Sequence, residues 1–222
     1  MRIHTVALAS AAGFAALSVL AACAGGPPSP VTSAEVAATP SAAPVDVRPT
    51  RSPTSTCPAA WFALPSDDPF KIDAGAVILH ASAAGTQDYE CKAVPSGGAA
   101  YAWTFLGPEA ELSDCHGVVV ASHFASDAGA SFPEWSASDG TYVIGQKVAA
   151  YTPIEGGASV PWLLLNAVAS AGGDGGGLRL TRYIERLDSD GGSAPPAASC
   201  ERARAEVTQK VPYTADYYFL AR

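Results

Sequence analysis

Alternation with a period of two residues, in short runs separated by Gly, Pro, Asp and Ser, is what most restricts the folds open to this chain. Across 86–92, Gln87, Tyr89 and Cys91 fall on one face while Thr86, Asp88, Glu90 and Lys92 take the other. Tyr101, Trp103 and Phe105 likewise share a face. Successive side chains of a strand point to opposite sides, so this is the pattern of antiparallel strands with one buried and one wet face. Two runs, 76–79 and 162–165, are apolar on both faces and suit central strands. Asp139-Gly140 marks a hairpin turn with glycine available for positive φ. The candidate strands are 76–82, 85–92, 100–106, 117–122, 141–150, 160–168, 178–187 and 214–221. Helix signals are few: one turn over 108–112, and a short helix over 199–208 that starts with a capping-type Ser199. The pattern predicts an all-β fold, a single antiparallel domain of sandwich or barrel-like form with one or two short helices.

The beginning of the chain predicts export. Arg2 supplies positive charge, an apolar run follows to Leu20, and Leu20-Ala21-Ala22-Cys23 comes next. The run is shorter than the roughly 20 apolar residues that a spanning helix needs, and no stop-transfer charge cluster follows it. The tetrad resembles the bacterial lipobox, which implies cleavage after Ala22 and acylation of Cys23. Acylation makes the membrane a partner through lipid; more than one chain is required for a stable anchor. Residues 1–22 are then a signal peptide and 23–56 a linker, with seven prolines and no aromatic side chain, too poor in apolar surface to offset its ordering entropy. Residues 57–222 form the globular domain. Ala24, rather than Asp, follows Cys23. In a cell with two membranes this resembles the sorting pattern for the outer membrane, with the domain in the periplasm or at the surface. Five cysteines are present; assigning Cys23 to lipid leaves Cys57, Cys91, Cys115 and Cys200, which permit two disulfides in three possible pairings. With 13 basic against 21 acidic residues and no basic stripe, the chain lacks the surface that displaces phosphate counterions, which argues against nucleic acid as a partner.

A longer series of residues carries a family resemblance. Gln87-Asp-Tyr-Glu-Cys91, Trp103, Pro108-Glu-Ala-Glu-Leu112, Trp135 with Asp139-Gly140, Pro161-Trp-Leu-Leu-Leu165, Ile184-Glu-Arg186, Gly191-Gly192, Cys200 and Val211-Pro-Tyr-Thr-Ala-Asp-Tyr-Tyr-Phe219 occur in that order. This resembles the domain-of-unknown-function family numbered 3455, of secreted bacterial and fungal proteins, over nearly all of 57–222. The resemblance implies a fold and an extracytoplasmic setting, and carries over no catalytic role. The family pattern has cysteines at Cys91 and Cys200, which implies that they pair and that Cys57–Cys115 is an addition in this chain. One departure follows Phe124, where 125–132 stands as an insertion before Pro133-Glu-Trp135 and reshapes any pocket built there.

No catalytic motif is present: no G-x-S-x-G elbow, no H-E-x-x-H and no phosphate-binding loop. The glycine-rich stretch 172–177 lacks the spacing of a nucleotide site and reads as a loop, so no cofactor is expected. His116 and His123, seven apart, would face opposite ways on one strand, and three or four converging ligands are lacking, so no metal is expected. His80, ending an apolar run, reads as a hydrogen-bonded core or edge residue. The most informative group is polar residues on apolar faces. Leu178, Leu180 and Ile184 share their expected face with Arg182 and Arg186, and a buried guanidinium must find carboxylates or carbonyls. Glu109 and Asp216, each within a block of the resemblance, are the expected carboxylates. A candidate pocket of Glu109, His123, Trp135, Arg186, Tyr213 and Asp216 would hold a small polar ligand. Three readings follow: a lipid-anchored binding or interaction module, favoured; an envelope hydrolase working through paired carboxylates; and a structural envelope component.

Overall fold

A computed structural model describes residues 56–73, 75–95, 100–154, 158–173 and 176–221. The expected signal peptide, Cys23 and the expected linker up to Ser55 fall outside the described residues.

Eight strands follow one another in sequence and in space: β1 (Val77–Ala93), β2 (Tyr101–Ser113), β3 (Val119–Ser126), β4 (Gly129–Ala137), β5 (Tyr142–Tyr151), β6 (Trp162–Ala171), β7 (Tyr183–Gly191) and β8 (Thr208–Leu220). Each pairs antiparallel with the next, and β8 returns to β1, from Leu79↔Phe219 to Glu90↔Thr208, closing a barrel. Of the two architectures that the alternation allowed, closure selects the barrel. It leaves no sheet edge with unpaired backbone groups.

Gly85 explains why two expected strands, 76–82 and 85–92, are one strand of 17 residues. It reads as a break in sequence, but a Cβ there would stand 2.2 Å from the Glu109 carbonyl oxygen and 2.5 Å from Ala110. The glycine lets β1 press against β2 and continue. The expected helical turn over 108–112 is instead part of β2, because Ala110 and Leu112 turn inward while Glu109 and Glu111 stay exposed. That is a period of two, not of helix. The expected helix over 199–208 is replaced by short 3-10 turns, Ala197–Ser199 and Arg202–Arg204, where Cys200 is tied to β1. Strand β4 was not anticipated. Residues 125–132 contribute both sides of a tight hairpin, Ser126↔Gly129, rather than an unstructured insertion.

Two disulfides join Cys57 to Cys115 and Cys91 to Cys200. Their sequence separations of 58 and 109 residues put the loss of unfolded-state entropy at about 4 and about 5 kcal/mol, respectively, in the chain-entropy model.

The apolar material lies in two layers. Inside the barrel, Leu112, Trp135, Val143, Leu165, Ile184, Tyr217 and Phe219 pack together with alanines 81, 83 and 121. Outside, Trp162, Leu187, Tyr218 and Leu220 are covered by Leu64, Phe70 and Ile72 of the segment preceding β1. This strap is pinned by Trp61, whose indole N–H donates to the His80 carbonyl at 2.9 Å. The His80 ring is sandwiched between Trp61 and Tyr218 at 4.1 and 4.0 Å.

Candidate functional site

One end of the barrel is plugged. The 3-10 turn Gly177–Leu180 inserts Leu178 into the lumen; its N–H donates to Thr141 Oγ1 at 3.0 Å, and Thr141 Oγ1 donates to Asp139 Oδ1 at 2.6 Å. The segment 178–187 is therefore strand only from Tyr183. Arg182 and Leu180 are exposed rather than sharing a buried face with Arg186, and Arg182 lies over the Tyr183 ring at 5.8 Å.

Toward the other end a cavity of about 350 Å³ remains, and every strand contributes to its wall. Gln87 and Tyr89 come from β1, Phe105 and Pro108 from β2, His123 from β3, Trp135 from β4, Lys147 from β5, Leu163 and Leu165 from β6, Arg186 from β7 and Tyr217 from β8. The alternation of each strand decides which residues these are. In β7, Ile184 and Arg186 point in while Glu185 and Leu187 point out. In β8, Tyr213, Ala215, Tyr217 and Phe219 point in.

The same parity puts Glu109 and Asp216 outside, which corrects the expectation that they partner Arg186. Glu109 is exposed and pairs with Lys210. Asp216 accepts from Ser82 Oγ at 2.7 Å and lies 3.2 Å from His80 Nε2. Although burial pushes its carboxyl up, the His80 and Ser82 bonds hold it below the usual range. Arg186 instead donates from Nε and Nη2 to the Pro161 carbonyl at 3.3 and 2.7 Å. The β6–β7 and β7–β8 registers seat it between Leu163 and Tyr217. Among the described residues, no carboxylate comes within ion-pair distance of it.

His123, Trp135 and Arg186 thus meet at the cavity. His123 donates from Nδ1 to the Glu134 carbonyl at 3.0 Å, since the carbonyl can only accept, and stacks on Trp135 at 4.3 Å. Burial pushes its imidazole down to about 3; the nearby Arg186 charge adds to this and the bond to Glu134 opposes it. Tyr213 is buried beside the cavity rather than in its wall, 3.4 Å from the Tyr217 hydroxyl, and burial raises its phenol. Tyr89 donates to the Gly192 carbonyl at 2.8 Å. Two buried donors in the wall, Trp135 Nε1 and Gln87 Nε2, have no well-formed hydrogen bond among the described residues; the Gln87 amide approaches the Tyr213 hydroxyl.

Sequence reasoning missed Gln87 and Lys147. For Gln87 the signal was present, because alternation had already put this amide on the face of Tyr89 and Cys91. Among the described residues, the grouping of metal-type side chains, Cys57, Cys115 and His116, contains a disulfide whose sulfurs are no longer thiolate ligands.

Fold and site together define a closed eight-stranded antiparallel barrel with a cation-bearing cavity open at one end. The chain belongs to the DUF3455 family, described as protein of unknown function, whose profile matches residues 73–221. No curated protein and no solved structure matches it.

Proposed function

We propose that this is an extracytoplasmic lipoprotein, anchored through Cys23, whose barrel holds one small, partly apolar molecule. The observation that carries the reading is the unfilled lumen. An eight-stranded barrel is just wide enough either to be filled by side chains or to hold one small ligand. Here about 350 Å³ is left open, within the range of about 300–1,000 Å³ common for small-molecule sites. Unpartnered buried donors in the wall support the same reading, because such groups are costly unless something completes them. A purely structural barrel would gain by filling that space and pairing Arg186. The hydrolase reading needs two facing carboxylates, and none lines the cavity among the described residues.

For the anchor, the support is the Leu20-Ala21-Ala22-Cys23 tetrad and the linker after it. The two disulfides agree with an oxidising compartment. In a cell with two membranes, Ala24 favours the outer one.

Native mass spectrometry of the chain isolated from its membrane is expected to find an adduct of small mass, and Leu163→Trp, which fills the cavity, to abolish it without lowering the melting temperature. The same spectra are expected to begin at acylated Cys23. An intact initiator methionine would remove the anchor, and an adduct that survives Leu163→Trp would remove the lumen as its site.

A further inference from the structure

The charged groups of the lumen wall, among the described residues, are all of one sign. Among the described residues its wall contains two cations, Arg186 and Lys147, and no Asp or Glu, in a chain whose formal charge is −8. Arg186 is only 7% exposed, and a guanidinium cannot shed its proton to escape burial. The bonds to the Pro161 carbonyl use Nε and Nη2, so Nη1 has no acceptor among the described residues. Trp135 Nε1, on a residue 1% exposed, is likewise a donor with no acceptor among the described residues, and Gln87 Nε2 only approaches the Tyr213 hydroxyl. A complementary ligand must bring acceptors and negative charge. Around these donors the wall is apolar: Phe105, Pro133, Leu163 and Leu165.

We infer that the ligand is a small amphipathic monoanion, an aryl or short-chain alkyl carboxylic acid, with its carboxylate at Arg186 and its apolar body against Phe105, Pro133 and Leu163. This rests on the reading of the lumen as a ligand site. A neutral ligand would leave the buried guanidinium uncompensated. A phosphate dianion would need a second buried cation, and Lys147 is exposed and solvated. The lysine's part is to draw anions to the opening, an effect that salt screens. The guanidinium's planar fork suits a carboxylate.

The test is calorimetric titration of the full mature chain with cinnamate and octanoate, each against its uncharged amide. A charge-assisted bond in a dry site puts the expected preference of the wild type for the acid at about tenfold or more. Arg186→Met is expected to erase that preference, and Arg186→Lys to retain part of it. The acid-over-amide comparison in the wild type stands even if Arg186→Met fails to fold. Equal binding of acids and amides overturns the anion inference while leaving the lumen as a ligand site. If none of the four binds the wild type at millimolar concentration, both readings fall together. Acid preference unchanged in a folded Arg186→Met overturns the assignment of Arg186 as the head-group partner.

Discussion

The inside of the barrel buries His123 and the outer patch beside the strap buries Glu185, and the two respond to pH in opposite senses. Inside, His123 is kept neutral, with its imidazole pushed down to about 3 by burial. Outside, Glu185 is fully buried under the strap, neither carboxyl oxygen has a partner, and burial, with Asp68 adding to it, pushes the acid up to about 7. Both sites favour the uncharged form, as low-dielectric surroundings do. For a base that means resisting protonation, and for an acid resisting its loss. One molecule therefore carries an acid-sensitive interior and an alkali-sensitive cover. A buried ionisable group thus cannot be judged stabilising or destabilising without stating the pH.

The largest expected effect is on the interior. As pH falls from about 6.5 to 3, the unfolded chain takes up a proton at His123 that the folded chain refuses, so stability is lost on acidification; the shift corresponds to about 5 kcal/mol. In His123→Leu that dependence should vanish, so chemical denaturation at pH 7 and pH 3.5 should show the gap between wild type and variant moving by this order. A constant gap would mean that the lumen admits the charged imidazole.

Next is the cover. Between pH about 4.5 and 7, folded Glu185 keeps a proton that the unfolded chain has released, so stability is present below this window and lost as pH rises through it. The shift amounts to about 3 kcal/mol. Glu185→Gln should gain on the wild type steadily across that range and hold its advantage at pH 8. A variant no more stable at pH 8 than at pH 4.5, relative to wild type, would break the contrast between the two regions.

Smallest is Phe70→Ala in the half-buried strap, expected to cost about 1–2 kcal/mol from lost apolar contact. Limited proteolysis should report faster cleavage within 58–72, while affinity for a lumen probe stays unchanged. A parallel loss of lumen affinity would show that the two layers are coupled rather than independent.

How much of this was legible in the sequence varied with the distance over which the deciding contact acts. Local alternation placed Gln87 with Tyr89 and Cys91, and the all-β class followed from many such runs. Gly85 misled because its role is a close approach to Glu109 and Ala110 on another strand. Pro108 and the glutamates after it suggested a helical turn until pairing with β1 made them strand. Arg186 was rightly singled out as an inward-facing charge, yet its expected carboxylates lie on the outer surface. Which faces look inward was readable strand by strand; which of them meet across the lumen was not. Glu185 was the hardest, since parity gives it an outward face and only the strap, arriving from 58–72, makes that face dry.

The bond between Cys57 and Cys115 sits at the upstream end of that strap. A pull applied through the preceding chain reaches Cys57 first and passes across the sulfurs into the turn between β2 and β3, bypassing 58–72. The cover over Glu185 therefore carries no mechanical load while the bridge is intact. After reduction, the same tension would run along the strap toward β1 and tend to peel it away.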